Sequence, residues 1–112
     1  MKPELLENLE EAVRRGYEVQ KFVAGLTLEQ YSADGKTRLA VERSFEIIGE
    51  ALNRCFKIAP EQIDSIRNYR RIISFRNILA HCYDTVEDRI VWGIIEGSLP
   101  ELLEDLERLL CR

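Results

Sequence analysis

Between Phe75 and Asp84 the sequence reads Phe-Arg-Asn-Ile-Leu-Ala-His-Cys-Tyr-Asp and sets Arg76, Asn77, the only histidine His81 and Tyr83 close together. A guanidinium neutralises and orients phosphate oxygens, an imidazole moves protons near neutral pH, and a phenol offers a hydroxyl. Together these groups point to chemistry on a phosphate ester. On a helix, Asn77 and His81 lie four apart and share a face, and Arg76 and Tyr83, seven apart, nearly align. A single histidine suits general acid or general base work, but one imidazole does not readily do both at once.

These residues need a frame, and apolar spacing supplies one. From Pro3 to about Gly25, Leu6, Leu9, Val13, Tyr17, Val19, Phe22, Val23 and Leu26 recur at helical intervals. Proline suits the first turn, Gly25 ends the helix, and Thr27 with Gln30 forms a capping box for a short turn through Tyr31. Asp34-Gly35 is either a break or the start of the next helix. That helix, about Lys36 to Lys57, carries Val41, Phe45, Ile48, Leu52 and Phe56, with Ala40, Gly49 and Ala51 small enough for close approach, and is expected to be the central one. Glu46, Glu50 and Arg54 step by four along it and read as a solvated face with helix-stabilising pairs.

Pro60 to Ile66 reads as a short helical turn, and Asn68 as the N-cap of a helix from Tyr69 to about Cys82. Asp84 with Glu87 suggests a further capping box, so the Arg76–Tyr83 segment sits at a helix end. The next helix runs through Val86, Ile90, Val91, Ile94 and Ile95; Gly97 is expected to stop it and Ser98-Leu99-Pro100 to restart or kink it before Leu102, Leu103, Leu106, Leu109 and Leu110. No stretch alternates as a strand would. The expected fold is all-α, a single domain over residues 1–112 forming an antiparallel bundle of four main helices whose last member is kinked or split.

Composition agrees with that frame. Of the 112 residues, 46% are hydrophobic and 32% charged, which describes a helical protein rather than a disordered one, and the apolar runs are too short to span a bilayer. The N-terminus lacks the apolar stretch of a signal peptide, so a cytoplasmic location away from membranes is expected. Cys55, Cys82 and Cys111 are odd in number and widely spaced, implying free thiols rather than disulfides or a metal site. The net charge of −4 disfavours nucleic-acid binding over the whole surface, but Arg67, Arg70, Arg71 and Arg76 fall in a stretch without acids. Acids collect instead at Glu4–Glu11 and Glu101–Glu107.

The order Arg76, four residues, His81, one residue, Tyr83, with Asn77 directly after the arginine, resembles the signature of HEPN domains. Arg38–Asn53, Phe75–Tyr83, Val91-Trp92 and Leu99-Pro100 resemble HepT-like toxins in particular, over nearly the whole chain. Relatives commonly carry Pro-Trp where this chain has Asn68-Tyr69.

The resemblance implies a small helical homodimer that is the ribonuclease toxin of a toxin–antitoxin pair, needing no metal or other cofactor. It implies Arg76 and His81 as the catalytic pair on RNA such as tRNA or mRNA, Asn77 as support, and Tyr83 as acceptor of AMP from a minimal nucleotidyltransferase antitoxin. Arg67, Arg70 and Arg71 would line the RNA approach, with the acidic helices facing elsewhere. The competing expectation is a non-catalytic HEPN module that binds a nucleotide or docks the nucleotidyltransferase. An intact Arg76–His81 pair favours the enzyme, because a binding module has no need of a proton-transfer group.

Overall fold

A computed structural model of the chain describes residues 1–81 and 86–111. Cys82, Tyr83 and Asp84, with the capping box proposed for Asp84, therefore lie outside the described residues. The helices are α1 (Pro3–Val23), α2 (Leu28–Ala33), α3 (Gly35–Ile58), α4 (Pro60–Asp64), α5 (Tyr69–His81), α6 (Asp88–Gly93), a π-helical turn (Ile94–Ser98) and α7 (Leu99–Leu109). Among the described residues there is no strand, and no helix is long and apolar enough to cross a membrane. The all-α bundle expected from sequence is the fold observed.

Local chemistry sets the boundaries. Gly25 takes φ +80°, a left-handed conformation that glycine adopts without a Cβ clash, and ends the α1 segment. The Thr27 hydroxyl accepts from the Gln30 N–H at 3.2 Å while the Thr27 N–H donates to Gln30 Oε1 at 2.9 Å, completing the capping box of α2. Asp34 Oδ1 caps α3 by accepting from the Thr37 N–H at 3.1 Å, so Asp34-Gly35 starts a helix rather than breaking the chain.

α3 is the central member, packed against α1, α2, α4 and α5. Phe56 stacks on Tyr69 with ring centroids 5.6 Å apart, and Phe45 meets Phe75 edge-on at 5.3 Å. Those pairs fix α5 antiparallel to α3. On α1 the buried face is Leu5, Leu9, Ala12, Val13, Gly16, Val19 and Val23, whereas Leu6, Tyr17 and Phe22 are 40–46% exposed. The reason is close packing: a Cβ on Gly16 would lie 2.7 Å from Leu103 Cδ2, so small residues mark the interface and larger apolar ones flank it.

α5 starts at Tyr69, directly after Asn68, as expected; the reach of the Asn68 side chain and the path at Gly97 differ from the sequence expectation. Asn68 has φ +71°, and its Nδ2 donates to the Ser98 carbonyl at 3.2 Å and to Glu101 Oε1 at 3.0 Å, so its side chain joins the start of α5 to α7. Gly97 does not stop a helix. Gly93, Ile94, Ser98 and Leu99 all keep right-handed helical angles, and the chain passes from α6 to α7 through the π turn. Proline cannot donate a backbone bond and its ring crowds the carbonyl four residues back; the wider turn just before Pro100 accommodates both. The expected kink is thus a widened turn in one helical path.

Candidate active site

Arg76 lies where α5 crosses α3, and Gly49 makes the crossing possible. A Cβ built on Gly49 would fall 2.3 Å from Arg76 Cβ, 2.8 Å from its Cγ and 3.3 Å from the Ile72 carbonyl oxygen. The arginine stem therefore occupies the space a side chain at 49 would need. Its head is held from two sides. Nη2 pairs with Glu50 Oε2 at 2.8 Å, and Nη1 donates to Asn77 Oδ1 at 2.9 Å. The other Glu50 oxygen, Oε1, lies 3.5 Å from Arg54 Nε.

The head group opens on a cleft of about 390 Å³ lined by Glu11, Glu46, Glu50, Arg43, Arg54, Arg76 and Ala80, among others. Arg43 pairs with Glu46 at 3.0 Å on its rim. Cation and carboxylate numbers match here, so the cleft is polar without being strongly charged. Among the described residues no group of three His, Cys, Asp or Glu side chains comes together as a metal site.

The remaining site residues divide by their place on α5. Arg70, Arg71, Ser74, Asn77, Ile78 and His81 are all exposed, and their spacing puts them along the helix face turned to solvent. His81 is the last residue of α5. It stands five residues after Arg76, a rise of about 7.5 Å and a rotation of about 140°. Asn77 thus touches Arg76 and shares the exposed face with His81, while Arg76 itself leans toward α3. Tyr83 lies outside the described residues.

Arg67 and Arg70 have partners within the chain. Asp105, buried on α7 at 6% exposure, accepts from the Arg67 backbone N–H at 2.8 Å, from its Nε at 3.1 Å and Nη2 at 3.0 Å, and from Arg108 Nη1 at 2.9 Å. Glu101 and Glu104 add pairs to Arg67 at 3.3 and 3.5 Å. The hydrogen bonds from Arg67 hold the Asp105 carboxyl down at about 2. Contrary to expectation, the acidic last helix faces this arginine rather than away from it. Arg70 pairs with Asp64 at 3.0 Å and lies over the Tyr69 ring, and Arg71 is exposed. Burial pushes the Cys55 thiol up to about 11, so it is an inert core group.

Sequence reasoning did not assign Gly49, Arg43, Glu46, Glu50 or Arg54 to the site. The four-residue steps of Glu46, Glu50 and Arg54 marked a shared face of α3, but which side chain arrives on that face is decided by the α3–α5 crossing.

Comparison with known proteins adds the decisive observation: residues 9–109 match the family described as ribonuclease HepT-like. The chain belongs to that family. Among its relatives, the protein of Thermococcus cleftensis named "Probable ribonuclease HepT" is 31% identical over 107 residues, which is 93% of this chain and 91% of the relative. A protein of Methanocaldococcus jannaschii that carries an RNase name is 29% identical over 112 residues, covering 96% of this chain and 82% of the relative. No solved structure matches the chain at comparable significance. Family membership makes this HepT-like chain a ribonuclease, and its Arg76, hydrogen-bonded to Asn77, lines a polar cleft.

Proposed function

We propose that this ribonuclease is the toxin of a toxin–antitoxin pair, cleaving RNA at a site that two copies of the chain share through Arg76 and His81, and silenced by AMP on Tyr83. The observation that carries the reading is the seating of Arg76. Its stem is locked against Gly49 and its terminal nitrogens are held by Glu50 and Asn77, which leaves its other N–H donors for a phosphate.

In that reaction the RNA 2′-oxygen attacks the adjacent phosphorus, the bond from phosphorus to the 5′-oxygen breaks, and a 2′,3′-cyclic phosphate is left. Arg76 stabilises the charge that builds on the non-bridging oxygens. One imidazole removes the 2′ proton and a second delivers a proton to the departing 5′-oxygen. The dimer supplies both. His81 stands about 140° round α5 from Arg76, on the exposed face, so the two do not share a side of the helix within one chain, and in the proposed dimer the partner's His81 completes the site. Ile78, 46% exposed one turn before His81, gives that face an apolar anchor.

Arg70 and Arg71 lie on the same exposed face and serve the RNA backbone, with Arg43 and Arg54 at the cleft. Arg67, whose donors are turned to three carboxylates, acts chiefly as a tie to α7. The nucleotidyltransferase antitoxin would move AMP from ATP to the Tyr83 hydroxyl, releasing pyrophosphate, and the added phosphate would compete with RNA for Arg76. The test is RNA cleavage by the purified protein in the cytoplasmic pH range. Loss of cleavage in Arg76→Ala and His81→Ala is expected; equal residual cleavage in all three proteins would contradict the assignment.

A further inference from the structure

We infer that Glu50 is the positioning residue of the catalytic arginine: it fixes the Arg76 guanidinium at the cleft without touching the RNA itself. The inference rests on the reading of Arg76 as the phosphate-binding group. An arginine side chain has several rotatable bonds, and a half-exposed one would otherwise sweep a wide volume. Gly49 constrains only the stem, since the atoms a Cβ would meet are Arg76 Cβ and Cγ. The head needs its own restraint. Asn77 comes from the same helix as Arg76 and moves with it, whereas Glu50 comes from α3 and references the guanidinium to the core of the bundle.

The charge balance agrees. Glu50 is shared between Arg76 at 2.8 Å and Arg54 at 3.5 Å, so the three side chains together keep one positive charge for an incoming phosphate. The carboxylate orients Arg76 without cancelling the site. Nor is it chiefly a stabilising contact: the Glu50 and Arg76 side chains are 33% and 31% exposed, and ion pairs open to solvent add little to folding. Glu50 thus acts on geometry more than on stability.

Glu50→Ala, Glu50→Gln and Glu50→Asp separate these roles. In Glu50→Ala, kcat on RNA is expected to fall on the order of ten- to a hundredfold, as misplacement of a catalytic group does, with KM unchanged or lower and thermal unfolding close to wild type. Glu50→Gln keeps an oxygen to accept from Nη2 and removes the negative charge, so it should recover most of the lost kcat and show a lower KM. The arginine side-chain NMR spectrum gives a readout independent of cleavage: the Arg76 guanidinium should be restrained in wild type and Glu50→Gln, and averaged in Glu50→Ala. Unaltered kcat in Glu50→Ala, a fall that follows loss of folding, or no recovery in Glu50→Gln would overturn the inference. If the wild type cleaves no RNA, the ribonuclease mechanism itself fails, and the guanidinium spectrum alone decides whether Glu50 holds Arg76.

Discussion

Gly49 has the largest structural consequence of any single residue near the site. With a Cβ there only 2.3 Å from Arg76 Cβ, the α3–α5 crossing must open. Gly49→Ala is expected to destabilise the fold by about 2 kcal/mol, as overpacking does, and to abolish cleavage by displacing Arg76. Denaturant unfolding together with an RNA cleavage assay measures both effects. Tyr83 behaves oppositely under the proposed regulation. Tyr83→Phe should leave cleavage within about threefold of wild type, since it removes a hydroxyl and no charge, yet resist silencing by nucleotidyltransferase and ATP. Mass spectrometry should find AMP on the wild-type protein alone. At this scale the motif was readable in the sequence because its spacing is local. Gly49 and Glu50 were visible only as a small residue and a solvated carboxylate, because their roles arise from Arg76, which arrives on another helix 27 and 26 positions later in the chain.

At the scale of elements, caps were the most legible features. Thr27–Gln30 closes its own hydrogen bonds within four residues, so residue type and spacing suffice to find it, whereas Asp34-Gly35 fitted a break as well as the helix start it is. The buried face of α1 was less legible, because Ala12 and Gly16 line it while Tyr17 and Phe22 turn outward. The stop at Gly97 was misread because glycine and proline weaken a helix without necessarily ending one, and a π turn absorbs both. The tie between Arg67 and α7 needed two distant segments to meet. It makes a prediction of its own. The Asp105 carboxyl is lowered from 3.8 to about 2, so its stabilisation is fully present above about pH 4 and is lost as the pH falls toward 2. Asp105→Asn should cost about 1 to 2 kcal/mol at neutral pH, after allowing for solvent screening of the half-exposed Arg67. Thermal unfolding of both proteins from pH 7 to pH 2 should show the difference shrinking with acid; a constant difference would remove the tie.

At the scale of the whole molecule, one chain presents Arg76 toward α3 and His81 along the exposed face of α5, so the proposed chemistry requires a second copy. Ile78→Asp places a charge at the apolar anchor of that face. It should convert the protein to monomers in sedimentation and remove cleavage while leaving the helical circular dichroism spectrum intact; active monomers would exclude a shared site. The most direct measurement mixes the wild type with His81→Ala. The two proteins are unfolded together and refolded, and the mixed dimers are isolated by a tag on one chain and assayed on RNA. The mixed dimer carries both Arg76 side chains but a single His81, so cleavage should fall close to that of His81→Ala alone. A mixed dimer that keeps about half of wild-type cleavage would contradict a site that needs an imidazole from each of two chains.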